Sequence, residues 1–195
     1  YLERQIKEFF PYLPTVEQEN AIKKLSEFLC SPKDGLVFLL RGYAGTGKTS
    51  LVGALVHALD KLQQKSVLLA PTGRAAKVFA SYAGHPAFTI HKKIYRQKTF
   101  SGDINNFSLN ENLTTHTLYI VDEASMISNE GLSGAVFGTG RLLDDLVQFV
   151  YSGQGCRLLL MGDTAQLPPI GEELSPALHA ESLQGYGLEV TEAEL

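Results

Sequence analysis

The sequence predicts a three-layer α/β domain, a mainly parallel sheet between two layers of helices, with a small inserted β-hairpin. Three observations predict it. Short continuous apolar runs of strand length recur along the chain, the mark of strands buried on both faces. Segments with helical apolar spacing separate these runs, and repeated strand–helix alternation builds a parallel sheet covered on both sides. One stretch, residues 93–110, breaks the alternation: aromatic and β-branched residues stand on either side of Ser101-Gly102-Asp103, a turn signal that predicts a hairpin.

The elements follow in order. Thr15 to Leu29 reads as a helix with Ile22, Leu25, Phe28 and Leu29 on one face, Thr15 as its N-cap and Pro14 before it. Leu36–Leu40 is an apolar strand, followed by a glycine-rich turn and a helix from about Lys48 to Leu62. Ser66–Ala70 is the next strand and Gly73–Tyr82 the next helix. Thr117–Val121 and Arg157–Met161 are strands, with an amphipathic helix at Arg141–Tyr151 between them. Pro176–Leu183 reads as helix and Leu188–Thr191 as strand.

At 195 residues the chain is one domain, large enough to bury a core without staples. Charged residues at 19% and hydrophobic ones at 44% exclude a disordered chain, and no apolar run reaches membrane-helix length. Two distant cysteines, Cys30 and Cys156, fit a reduced, cytoplasmic protein and no disulfide framework. The chain opens at Tyr1 and closes at Leu195 within an alternating apolar stretch, so residues 1–195 are read as a fragment of a longer protein. Net charge is −4, but its distribution is uneven. Residues 61–102 hold eight of the 17 basic residues and none of the 21 acidic ones, a local +8 against −12 for the remainder. That asymmetry fits a polyanion site on an acidic protein; a basic solvated face is the bland alternative.

Gly42-Tyr43-Ala44-Gly45-Thr46-Gly47-Lys48-Thr49 fits G-x-x-x-x-G-K-[ST] in full, between an apolar strand and an amphipathic helix. Glycines let backbone N–H groups close on phosphates, and the helix N-terminus adds its positive dipole end. Lys48 then reaches the β- and γ-phosphates of ATP, and the Thr49 hydroxyl reaches Mg²⁺. The chain is thereby a P-loop NTPase in expectation. Asp122 and Glu123 close the run Leu118–Val121, and ligands of open α/β sheets bind at the carboxyl ends of strands. Asp122 suits the metal; Glu123 suits the attacking water, as base or orienter. Gln166 follows the strand ending at Met161 and is a neutral donor able to touch the γ-phosphate.

These three motifs, in this order, resemble the first RecA-like domain of a superfamily-one DNA helicase of the RecD/Dda/TraI group, RecD-like exodeoxyribonuclease V alpha subunits among them. Leu69-Ala70-Pro71-Thr72-Gly73-Arg74-Ala75-Ala76-Lys77 resembles that group's DNA-contacting motif, and Thr89-Ile90-His91 the next one. Val121-Asp122-Glu123-Ala124-Ser125-Met126 and Gly162-Asp163-Thr164-Ala165-Gln166-Leu167-Pro168 are similar to the corresponding RecD-like stretches. The resemblance runs from about Thr15 to the end of the chain. It implies an ATP- and Mg²⁺-dependent motor moving 5′ to 3′ on single-stranded DNA, acting in DNA repair and recombination. Lys48, Glu123 and Gln166 would serve catalysis, and Gly42 to Ser50 the nucleotide. Pro71, Thr72, Arg74, Lys77, His91, Lys93 and Arg96 would serve the DNA backbone. Lys92 and Lys98 could join them. The partners implied are single-stranded DNA and a second RecA-like domain of the same chain, which carries the later motifs and an arginine finger. No membrane partner is implied, and the protein is expected to be a monomer.

Gln18 has two readings. The resemblance assigns it to adenine, through an amide that can both donate and accept. Thr15-x-x-Gln18 is also a capping box, the reading the residue pattern favours alone. Phe10 and Tyr12 flank the base or belong to the core. The hairpin over 93–110 is a candidate pin that splits the duplex, with Phe100 and Phe107 either stacking on DNA or folding into the core. Two other functions stay open at this point: a P-loop phosphotransferase of the kinase kind, and a nucleotide-switched binding module. Stimulation of ATP hydrolysis by single-stranded DNA separates them from the helicase.

Overall fold

The structure is a computed structural model, and it describes residues 1–43, 45–97, 107–129, 139, 141–163, 165–166 and 174–195. In chain order the elements are α1 (Leu2–Glu8), α2 (Val16–Cys30), β1 (Leu36–Arg41), α3 (Lys48–Lys61), β2 (Ser66–Ala70), α4 (Gly73–Ala83), β3 (Ala87–Thr89) and α5 (Ile90–Ile94). Then come β4 (Tyr95–Gln97), β5 (Phe107–Leu109), β6 (Leu118–Val121), α6 (Leu142–Ser152), β7 (Arg157–Gly162), α7 (Ala180–Gln184) and β8 (Glu189–Glu194). Six strands form one sheet in the order β3-β2-β6-β7-β1-β8. Every pairing in it is parallel.

Strand alternation divides the core in two. Phe38 and Leu40 of β1, Ile120 of β6 and Leu159 and Met161 of β7 pack on one side with α1–α4. Val37 and Leu39, Tyr119 and Val121, and Leu158 and Leu160 pack on the other with α5, α6 and α7. The central strands are therefore apolar along their length, save Arg41 and Arg157 at strand ends, because both faces are covered, which is why they read as continuous runs. The three layers expected from the sequence are present.

Several elements end where the chain chemistry ends them. Thr15 caps α2, its hydroxyl accepting from Gln18 N–H while Gln18 Oε1 accepts from Thr15 N–H at 2.9 Å. Thr72 caps α4 by accepting from Ala75 N–H, and Gly84 closes that helix at φ 64°. Thr89 caps α5 by accepting from Lys92 N–H.

Three short elements were not expected from the pattern: α1, β3 and α5. Each is too short to show a period, at seven, three and five residues. The stretch read as one helix at Pro176–Leu183 is instead a 3₁₀ turn, Pro176–Leu178, followed by α7. His179 between them is extended, at φ −114° and ψ 115°.

The inserted hairpin has the expected base. β4 and β5 pair antiparallel, with Tyr95 opposite Leu109 and Gln97 opposite Phe107. Phe107 is half-buried and packs against the second core cluster, the arrangement the core reading of this residue expects. Phe100 and the Ser101-Gly102-Asp103 turn lie outside the described residues.

Candidate nucleotide and nucleic-acid site

A parallel sheet sends every strand out at the same edge, so the loops that follow the strands gather there. The loop after β1 carries residues 42–47, the loop after β6 carries Asp122 and Glu123, and the loop after β7 carries Asp163 and Gln166. These three strands are neighbours in the order β6-β7-β1. The residues after β2 and β3, Pro71 to Lys77 and His91, leave the same edge on one flank.

The phosphate loop has the backbone its sequence requires. Gly45 and Gly47 take φ of +83° and +89°, a region that side chains rarely enter. Gly47 is also sterically confined: a Cβ there would lie 2.2 Å from Gln18 Nε2. Gly42 N–H donates to Gly162 O, which ties the loop to the end of β7. Lys48 donates to the carbonyls of Gly42 and Tyr43, at 2.5 and 3.0 Å, and so spans the loop. Thr49 and Ser50 follow in the first turn of α3, Thr49 exposed and Ser50 half-buried. Ala44 lies outside the described residues.

The donor set fits a nucleotide with a hard cation. Backbone N–H groups at a helix start, a lysine and an exposed threonine hydroxyl stand at one strand end, and a carboxylate stands two strands away in the sheet. Asp122 is held on both oxygens: Oδ1 accepts from Glu123 N–H at 2.7 Å and Oδ2 accepts from the Tyr82 hydroxyl at 2.7 Å. Burial pushes its carboxyl above the ordinary range, while Tyr82, the Glu123 backbone and the Lys48 charge pull it back. Burial together with Asp122 pushes the Tyr82 phenol upward, so it stays a donor.

Glu123 occupies left-handed backbone at φ 54° and ψ 38°, a conformation costing a non-glycine residue about 1 kcal/mol. Burial raises its carboxyl, as do the charges of Asp122 and Asp163; Lys48 and a hydrogen bond from Gln166 oppose them. Gln166 Oε1 accepts from the Ser125 hydroxyl at 3.0 Å. The Glu123 carboxylate can only accept, so the amide turns its NH₂ to Glu123 and its oxygen to the Ser125 hydroxyl, which can donate. Ser125 is fully buried in the 3₁₀ turn Ala124–Met126, and its own carbonyl accepts from Ser175.

Gln18 is 1% exposed, and both halves of its capping box are formed. Its Nε2 donates to Tyr12 Oη at 3.2 Å and to Gly47 O at 3.3 Å. The carboxamide thus reaches the phosphate loop while its polar atoms are held by protein groups. Hydrogen bonds from Ser50 and Gln18 hold the Tyr12 phenol below its ordinary range. Tyr12 is half exposed, and Phe10 meets it edge-on at 5.8 Å while packing on the first core.

On the flank, Arg74, Lys77, Lys92 and Arg96 are exposed, and Pro71, His91 and Lys93 half-buried. Thr72 is exposed although its hydroxyl serves the α4 cap. The His91 ring lies 5.6 Å from the Tyr95 ring, and burial pushes its imidazole below the ordinary value. Lys92 Nζ lies 5.8 Å from the Phe88 ring centre. No signal in the sequence marked Tyr82, and Ser125 was part of a motif without a role; only the fold brings these hydroxyls to Asp122 and Gln166.

A family model described as an AAA domain matches residues 15–182. The ATP-dependent RecD2 DNA helicase of Deinococcus radiodurans is 32% identical over 78% of this chain and 19% of its own length. The multifunctional conjugation protein TraI of Escherichia coli is 32% identical over 62% of this chain and 7% of its own length. An uncharacterized protein of Acanthamoeba polyphaga mimivirus is 28% identical over 80% of this chain and 33% of its own length. The chain spans a third or less of the length of these curated relatives. Among solved structures, the Pif1 helicase from Candida albicans covers 94% of this chain with a TM-score of 0.56 at 19% identity, over 40% of that chain, a likeness of fold.

Proposed function

The chain belongs to the AAA domain family as the RecA-like domain of a superfamily-one RecD/Dda/TraI-like helicase, and from that premise we propose that it binds and hydrolyses ATP to drive its parent protein 5′ to 3′ along single-stranded DNA. One observation carries the reading. Three adjacent strands deliver the phosphate loop, the Asp122–Glu123 pair and Gln166 to one edge, and the two flanking strands deliver basic residues to the same edge. The direction of travel rests on the family likeness alone.

The chain's own groups divide the work. The loop from Gly42 to Gly47 wraps the phosphates with backbone N–H groups, and Lys48 leaves its two carbonyls for the β- and γ-phosphates. Thr49 and Asp122 would hold Mg²⁺, directly or through water, and the ion when bound supplies the charge that offsets the phosphates. Glu123, less acidic than an ordinary carboxylate, orients the attacking water and takes its proton. Gln166 keeps its NH₂ toward Glu123 and the γ-phosphate because Ser125 holds its oxygen. Gln18 and Tyr12 form the wall for the base, and Gln18 trades its Tyr12 and Gly47 bonds for the adenine edge.

Arg74, Lys77, His91, Lys93 and Arg96, with Pro71 and Thr72 at the head of α4, form a track for the DNA backbone, which grips any sequence. A second RecA-like domain in the parent chain would face this edge, close on nucleotide and supply an arginine finger. No helix among the described residues is long and apolar enough to cross a membrane. Free cysteines at positions 30 and 156 fit a cytoplasmic protein.

The test is hydrolysis of ATP by the full-length parent with and without oligo(dT). Magnesium-dependent turnover that rises several-fold with the oligonucleotide is expected. Turnover indifferent to DNA, or phosphate passed to a small acceptor, would overturn the helicase reading.

A further inference from the structure

Helix α4 touches both halves of the edge. It starts at Gly73, just past the end of β2 at Ala70, and presents Arg74 and Lys77 to solvent in its first two turns. Tyr82 stands in its last turn. Helical side chains lean toward the N-terminus of their helix, and the Tyr82 ring lies back on Phe79, with centroids 5.2 Å apart. From there its hydroxyl reaches Asp122 Oδ2 at 2.7 Å, across 40 residues of chain.

The bond is specific in what it touches. Glu123 N–H already takes Oδ1, so the Tyr82 hydroxyl is what fixes the second oxygen and hence the plane of the carboxylate. A carboxylate oxygen accepts more than one bond, so the phenol leaves room for a cation or its water on the same group. Packing alone would be served by phenylalanine; the hydroxyl serves Asp122.

We propose that Tyr82 is a positioning residue that holds the Asp122 carboxylate in the orientation a bound cation requires and links that orientation to single-stranded DNA seated on Arg74 and Lys77. The inference rests on the helicase reading above. Its physical content is simple. The helix from Arg74 to Tyr82 is a rigid rod about 12 Å long. Phosphates drawn onto its first turn shift it as a unit, and a few tenths of an ångström at the hydroxyl retune a short, directional bond. Reciprocity follows: a cation and nucleotide bound at Asp122 change the affinity of the helix for DNA.

The experiment compares the full-length protein with its Tyr82→Phe variant, which keeps the ring and loses the hydroxyl. Mn²⁺ binding in the presence of a non-hydrolysable ATP analogue is followed by electron paramagnetic resonance. ATP hydrolysis is measured at saturating Mg²⁺ with and without oligo(dT), and thermal unfolding is the control. The variant should unfold within a few degrees of the wild type. It should bind Mn²⁺ about three- to tenfold more weakly, a part of what one hydrogen bond to a charged group contributes because Asp122 keeps its bond from Glu123 N–H, and its stimulation by oligo(dT) should fall by a similar factor. Unchanged Mn²⁺ affinity would overturn the positioning role. Weakened Mn²⁺ binding with undiminished stimulation would overturn the link to DNA. A wild-type protein that binds no Mn²⁺–nucleotide would instead overturn the helicase reading itself.

Discussion

Lys48 is half-buried and bonded to two loop carbonyls, so its charge has a place to rest without nucleotide. Replacing it with alanine should therefore leave the fold intact and weaken Mg·ATP binding at least about tenfold, the loss of a charge-assisted contact to phosphate. Titration of a labelled ATP analogue into both proteins checks this, and equal affinities would remove Lys48 from the site. On the proposed DNA track His91 differs in kind from the lysines and arginines. Burial lowers its imidazole pKa, so at neutral pH it offers a neutral donor and releases no counterion. His91→Gln should lower DNA affinity without changing its salt dependence. Arg74→Ala or Lys77→Ala should flatten the plot of log affinity against log salt by about 0.7 each. Parallel slopes for all three variants would take Arg74 and Lys77 off the DNA track. At this scale the sequence was informative where chemistry is local. The phosphate loop needs glycines at Gly45 and Gly47 because φ there is positive, and that demand is written in the residues. Gln18 shows the opposite case: cap and loop contact coexist in one side chain, and only the approach of α2 to Gly47 makes the second visible.

The elements that were legible are those long enough to show a period or buried enough to be continuous. β2 runs over the residues the apolar pattern marked, Ser66–Ala70, and α2 begins one residue after its threonine cap. Helix α5 spans five residues, and its apolar Ile90 and Ile94 point into the second core without repeating further. The hairpin joined to it is anchored by a polar contact that no pattern announces. Tyr95 donates to buried Asp145 of α6 at 2.5 Å, and Asp145 also accepts from the Thr139 hydroxyl and backbone N–H. Removing the phenol leaves a buried carboxylate short of one donor. Tyr95→Phe should therefore cost about 2 kcal/mol by urea unfolding. A loss under about 0.5 kcal/mol would show that Asp145 finds water or another donor instead. The same rigid base bears on the pin. Phe107 packs half-buried against the second core, so Phe107→Ala should lower stability. If Phe100 works as a wedge, Phe100→Ala in the full-length protein should lose unwinding and keep DNA-stimulated ATP hydrolysis, because translocation on a single strand needs no wedge. Normal unwinding by that variant would end the pin reading.

At the scale of the molecule, the parallel sheet turns a linear series of motifs into one edge. Residues 42–49, 71–77, 91, 122–123 and 163–166 are scattered over more than 120 positions, yet each follows a strand of the same sheet. The acid-free window from 61 to 102 contains Arg74, Lys77, Lys92, Lys93 and Arg96 of that flank, so a chain of net charge −4 carries the basic residues the proposed DNA track needs. On the proposed reading every nucleotide group comes from this one edge, and an arginine finger from a facing domain would contribute about 10³–10⁵ in turnover, as in related chemistry. The 195-residue chain alone should accordingly bind Mg·ATP, hydrolyse it at least about a thousandfold more slowly than the DNA-stimulated full-length protein, and unwind no duplex. Single-turnover hydrolysis and a strand-displacement assay on both proteins measure the difference. The two outcomes separate two architectures. Slow hydrolysis with intact nucleotide binding places the missing charge on a second domain. Unwinding by the short chain would mean that the groups of this one sheet edge complete the motor by themselves.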